Sequence, residues 1–141
     1  MDWLVDTNII LRPADRLHPA SSRARASMKV LFRRGHRLCV TRQTLLEAWV
    51  VATSPRDVNG FGYSAQHTVE GLSKVKRLFH ILADTDDIYQ VLGKNAYDAR
   101  LAAAMQVHNV PNILTFNCGD FKRYSSVNAV HPDEVLAGNP L

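Results

Sequence analysis

The chain has 141 residues, six His, two Cys and a formal net charge of +4, with 46% hydrophobic and 21% charged residues. These figures describe one ordinary globular domain spanning residues 1–141, with no long apolar run for a membrane span and no basic signal-peptide start. Cys39 and Cys118 lie far apart, with no CxxC and no Cys/His cluster, so neither a disulfide framework nor a zinc site is expected, and a reducing cytoplasm is.

The elements follow in chain order. Trp3, Leu4, Val5 and Asp6 read as a buried strand over 3–6, followed by the equally apolar Ile9, Ile10 and Leu11. His18-Pro19 opens a helix that Gly35 ends, with Ala24, Met28 and Leu31 as its apolar stripe and Arg25, Lys29 and Arg33 as a basic one. "RLCVT" (37–41) is a second strand, and Thr41 is placed to cap a helix through "RQTLLEAWVVAT". "SPRDVNGFGYS" (54–64) is a loop whose Ser64 caps a helix with Thr68, Leu72, Val75 and Phe79 on one face. "FHILA" (79–83) is a short strand, and helices follow from about Asp86 to Gly93 and from about Ala96 to His108. "NILTF" (112–116) and "NAVHP" (128–132) are the last strands, before "PDEVL". Strands alternating with helices predict an α/β layer with a mostly parallel sheet.

Charge is unevenly spread. Residues 1–42 hold nine Lys or Arg against three Asp, which suits a polyanionic partner, although a solvated basic face gives the same pattern. The thirteen acids include four at positions the apolar pattern would bury or pack closely: Asp6, Glu47, Asp98 and Asp120. Each has a plain structural reading. Asp98 suits a helix N-terminus, Asp120 a turn, and Glu47 an ion pair with Arg42 or Arg100. Together, however, they fall near the carboxyl ends of strands, where open parallel sheets bind ligands. Clustered carboxylates repel unless a cation sits among them, and an oxygen-only set with no His or Cys favours Mg2+ or Mn2+. Such a site predicts phosphodiester hydrolysis, with basic helices holding phosphates outside it.

"VDTNIIL", "TLLEAWVV", "YDARLAAAM" and "ILTFNCGDFKRY", in that order, resemble the PIN-domain ribonucleases, and most of all the VapC toxins of type II toxin–antitoxin modules. The likeness spans essentially the whole chain. It implies a three-layer α/β/α PIN-like fold with a central mostly parallel sheet, Mg2+-dependent endoribonuclease activity, inhibition by a cognate antitoxin, and a homodimer. Carried over by residue, Asp6, Glu47 and Asp98 occupy the main acidic positions as metal ligands and catalytic groups. Asn8 matches the polar residue that orients the first Asp, and Thr115 and Asn117 match the polar pair after the last long strand. Many relatives carry an acid where this chain has Asn117, so Asp120 supplies the fourth carboxylate, and Tyr97 stands where relatives often have His.

Arg12 and Arg100 are candidates for a scissile-phosphate contact or for balancing the pocket's charge. In "NGFGY" (59–63) a plain turn is the preferred reading, with base stacking on Phe61 and Tyr63 as its alternative. Two other functions compete with the ribonuclease. A phosphohydrolase would use Asp6 as covalent nucleophile, but the position two residues on is Asn8 rather than a second Asp. A non-catalytic PIN-like scaffold would bind RNA or protein without cutting, with Asn117 as its hint of an incomplete acid set.

Overall fold

The computed structural model describes residues 1–92 and 98–138, with the side chains of Leu92 and Asp98 left out. The expected helix limits at Gly93 and Ala96, and Tyr97, lie outside the described residues. The described strands are β1 (Asp2–Val5), β2 (Arg37–Thr41), β3 (His80–Leu82), β4 (Asn112–Leu114) and β5 (Asn128–Val130). They form one sheet in the order β3-β2-β1-β4-β5, with every pairing parallel. The helices are α1 (Thr7–Leu11), α2 (Ser21–Arg33), α3 (Arg42–Thr53), α4 (Ala65–Leu78), α5 (Asp86–Leu92), α6 (Asp98–Val107) and α7 (Pro132–Leu136).

Strand alternation divides the core into layers. Trp3, Val5, Leu38, Val40 and Leu114 face one side, packed with Ile9 of α1, Ala24 and Leu31 of α2, Leu45 of α3 and Val135 of α7. Leu4, Cys39 and Ile113 face the other, packed against Leu101 and Met105 of α6. Ile88 of α5 packs against Ala103 and Ala104, whose small side chains allow the close approach. The sheet is thus buried on both faces, as an all-parallel sheet must be.

Local chemistry sets the ends of these elements. Thr41 caps α3, its hydroxyl accepting from the Thr44 N–H at 3.1 Å, and Ser64 caps α4 through the His67 N–H at 3.1 Å. Gly35 follows α2 at φ 81, a left-handed conformation that suits glycine, and the His36 N–H returns to the Leu31 carbonyl. Two helices were not expected. The first is α1, beginning directly at Thr7, so the first strand ends at Val5 and Asp6 is a helix cap rather than a strand residue. The second is α7, capped by His131, with Glu134 Oε1 accepting from the His131 N–H.

Candidate active site

The strand order turns at β1: the chain moves to β2 and β3 on one side and to β4 and β5 on the other. The C-terminal ends of β1 and β4 therefore flank the crevice where parallel α/β sheets place their ligands. Asp6 leaves β1 and Thr115 leaves β4 at this point, and the Asp6 N–H still bonds the Leu114 carbonyl at 3.1 Å.

Asp6 is held by three residues. Its Oδ1 accepts the Thr7 N–H at 2.7 Å, as the N-cap of α1. Its Oδ2 accepts the Thr115 hydroxyl at 2.7 Å and Asn8 Nδ2 at 3.2 Å. Thr115 is fully buried, and its oxygen in turn accepts the Asn117 N–H at 3.0 Å and Asn8 Nδ2 at 3.3 Å. Asn8 Oδ1 takes the Phe116 N–H at 3.3 Å, tying the loop after β4 to α1. Among the described residues Oδ2 accepts two donors and Oδ1 accepts one.

Glu47 is held as firmly from the neighbouring helix. Its Oε2 accepts the Thr7 hydroxyl and its Oε1 accepts Gln43 Nε2, each at 2.7 Å. Neither Arg42 nor Arg100 supplies the ion pair considered from sequence, since Arg100 bonds Asp84 at 2.7 Å. Asp120 lies on the short 3-10 turn Cys118–Phe121, and with Asn117 it lines the same cleft, of about 390 Å3, as Asp6, Asn8 and Glu47. Arg12 stands at its edge, and Val51, Leu101 and Phe121 form apolar walls. Asp98 is the first residue of α6, one turn before Leu101, but its side chain lies outside the described residues.

Burial pushes the Asp6 carboxyl above its ordinary range, and the negative charges of Glu47 and Asp120 push the same way against the hydrogen bonds from Thr115 and Thr7. No Lys or Arg among the described residues pairs with Asp6 or Glu47. A cleft of this kind concentrates negative charge and offers it to a cation. The donors are oxygen throughout, and Gln43 Oε1 is a buried acceptor with no hydrogen-bond donor among the described residues, a set that suits a hard divalent ion. Among the described residues no three His, Cys, Asp or Glu side chains lie close enough to form a metal cluster by themselves.

Asp6, Asn8, Glu47, Asn117 and Asp120 thus stand around one crevice, with Thr115 buried behind Asp6. Sequence reading missed Thr7 and Gln43. For Gln43 the signal was available, because it precedes Glu47 by one helical turn. Thr7 gave none beyond its place beside Asp6, since its hydroxyl reaches a residue forty positions away.

The fold and this crevice define a PIN-like α/β/α protein. The solved structures it resembles include two VapBC complexes and a VapC toxin. VapBC2 from Rickettsia felis, solved bound to a DNA fragment from its promoter, superposes with a TM-score of 0.68 at 14% identity, over 93% of this chain and 98% of that one. VapBC-1 from nontypeable Haemophilus influenzae gives 0.66 at 17% identity, over 94% and 99%. Mycobacterium tuberculosis VapC20, a Sarcin-Ricin loop cleaving toxin, gives 0.52 at 14% identity, over 79% and 86%. No family model matches the chain, and no curated protein matches it by sequence. At these identities the likeness establishes the fold, which is the PIN-like fold of the VapC toxins.

Proposed function

We propose that the protein is a Mg2+-dependent endoribonuclease, with Mn2+ as a substitute, acting as the toxin of a toxin–antitoxin pair in the cytoplasm. The observation that carries this reading is the pair of carboxylates at the switch point, Asp6 and Glu47, each fixed by neutral donors and neither ion-paired with a Lys or Arg among the described residues. Structural neighbours that are VapBC complexes and a Sarcin-Ricin loop cleaving toxin support it.

Asp6 through Oδ1, Glu47, Asp98 and Asp120 would hold the ion. When bound, it supplies positive charge to the phosphodiester and lowers the pKa of water for in-line attack. The chain's own residues prepare that chemistry. Thr115, Asn8 and the Thr7 N–H keep Asp6 in one orientation, while the Thr7 hydroxyl and Gln43 do the same for Glu47. Such donors fix the geometry of ligating carboxylates. Arg12 meets phosphate charge at the cleft edge.

An antitoxin would cover the apolar groove between α1, α3 and α4, lined by Ile10, Ala48, Ala52, Leu72 and Val75. Val50 on α3 and Val69 on α4 are further exposed apolar side chains on two of those helices. A homodimer completes the expected assembly. Expression without antitoxin tests the reading: the native chain arrests growth, co-expressed antitoxin restores it, and Asp98→Asn and Glu47→Gln are harmless. Equal toxicity of native chain and variants would separate the arrest from the acidic site.

A further inference from the structure

The loop between α3 and α4 is built more rigidly than its Gly- and Asn-rich sequence suggests. Its N–H groups return to α3 and its edge: Gly60 to the Pro55 carbonyl at 2.9 Å, Phe61 to Val51 at 2.9 Å, Gly62 to Ser54 at 2.8 Å and Tyr63 to Ala52 at 2.9 Å. The Tyr63 hydroxyl donates to the Ala14 carbonyl at 2.8 Å, fastening the loop to the segment after α1. A side chain at position 60 would run into the Ser54 carbonyl, so glycine is required for this closure.

What the loop presents is a second cleft, of about 270 Å3, lined by Arg12, Asp15, Arg56, Asn59, Phe61 and Tyr63. Arg12 and Asn59 also line the acidic cleft, so the two spaces are contiguous. Arg12 is partly balanced by Asp15 at 3.7 Å, whereas Arg56 has no ion-pair partner among the described residues. Asn59 is exposed and held at φ 63 at the junction, offering an amide donor and acceptor together. Phe61 and Tyr63 pack edge to face with ring centroids 5.6 Å apart.

Two guanidinium groups, an exposed amide on a hydrogen-bonded loop and an aromatic wall match a phosphate, a base edge and a base face. We propose that this cleft is a nucleotide subsite for single-stranded RNA, taking the nucleotide adjacent to the phosphodiester held in the acidic cleft. Arg56 and Arg12 contact its phosphate, Asn59 reads its base edge and Phe61 with Tyr63 supports its base. The loop is therefore a selector of RNA sequence next to the cut rather than a plain turn. This subsite rests on the ribonuclease reading for its place in the reaction, but its binding is separable from cleavage.

The test uses the full chain and short fluorescent single-stranded RNA oligonucleotides of varied sequence, titrated in EDTA so that nothing is cut. Arg56→Gln removes one of the cleft's two cations. Asn59→Gly removes the amide and keeps the left-handed backbone. Arg33→Gln, in the last turn of α2 and in the lining of neither cleft, removes a cation elsewhere. Arg56→Gln is expected to weaken binding roughly tenfold and to flatten the slope of log affinity against log salt by about 0.7. Asn59→Gly should keep the native melting temperature and flatten the preference among bases next to the cut when Mg2+ is restored. Native-like affinity in both loop variants, or an equal loss in Arg33→Gln, would overturn the subsite. So would an absence of binding by the native chain. If the native chain binds through Arg56 but cuts nothing with metal, the subsite stands and the ribonuclease reading fails. If it cuts through Asp6 with both loop variants unaffected, the reverse holds.

Discussion

Thr7 joins the two central carboxylates: its N–H holds Asp6 Oδ1 and its hydroxyl holds Glu47 Oε2, both at 2.7 Å. One residue on the first turn of α1 thereby fixes the position of acids that come from a strand end and from a different helix. The expected consequence of Thr7→Val, which keeps the shape and removes the hydroxyl, is a loss of metal affinity or turnover of about 10–100-fold. Isothermal titration with Mn2+ and initial rates on RNA measure it. Native affinity and rate in that variant would show that Glu47 needs no such support.

Thr115 bears on stability as well as orientation. It is fully buried, donates to Asp6 and accepts from Asn8 and Asn117. Thr115→Val leaves these groups without their partner, so an unfolding free energy lower by about 1–3 kcal/mol is expected in urea titration. The same change removes a bond that favours the ionised Asp6, so Asp6 should titrate still higher.

The raised pKa of Asp6 predicts a stability effect of definite sign. A carboxyl that titrates higher in the folded chain than its ordinary 3.8 binds its proton more tightly when folded. Its contribution is fully present below 3.8 and is lost as pH rises through the raised value, leaving an ionised group that costs stability at neutral pH. Asp6→Asn should therefore raise the melting midpoint by a few degrees at pH 7 in EDTA. The gain should shrink as pH falls towards 4. A variant less stable than native throughout would place the hydrogen bonds to Asp6 above its desolvation.

The cap of α3 links fold to site. Thr41 Oγ1 accepts the Thr44 N–H in a buried setting at the start of the helix that carries Glu47. Thr41→Ala is expected to cost about 0.5–2 kcal/mol by thermal or urea unfolding. Cleavage by the folded fraction should change little, because Thr41 touches neither carboxylate. A large loss of activity at native stability would mean that the cap sets the position of Glu47.

Much of this arrangement was legible in the sequence because it is local. The boundaries of β2 and α3, the Thr41 and Ser64 caps and the Gly35 stop follow from short-range chemistry. The five-residue α1 did not, since "TNIIL" is too short to show a helical period and reads equally as strand. Asp6 consequently looked like a buried strand acid when it is a helix cap. Its bond to Thr115 spans 109 positions, and no spacing rule gives such a pair; only the resemblance singled out Thr115 and Asn117. The loop at 54–64 was recognisable as a loop, but its return bonds to α3 depend on the folded path of the chain.

The proposed function makes the Asp6–Glu47 cleft a metal-dependent ribonuclease centre. Cleavage of total RNA by purified, antitoxin-free protein, in Mg2+ or Mn2+ and in EDTA, with Asp6→Asn alongside, tests it most directly. Discrete fragments that appear only with the metal and only with the native residue are the predicted result. Intact RNA in every condition, from protein shown to be folded, or fragments that persist in EDTA or with Asp6→Asn, would contradict it.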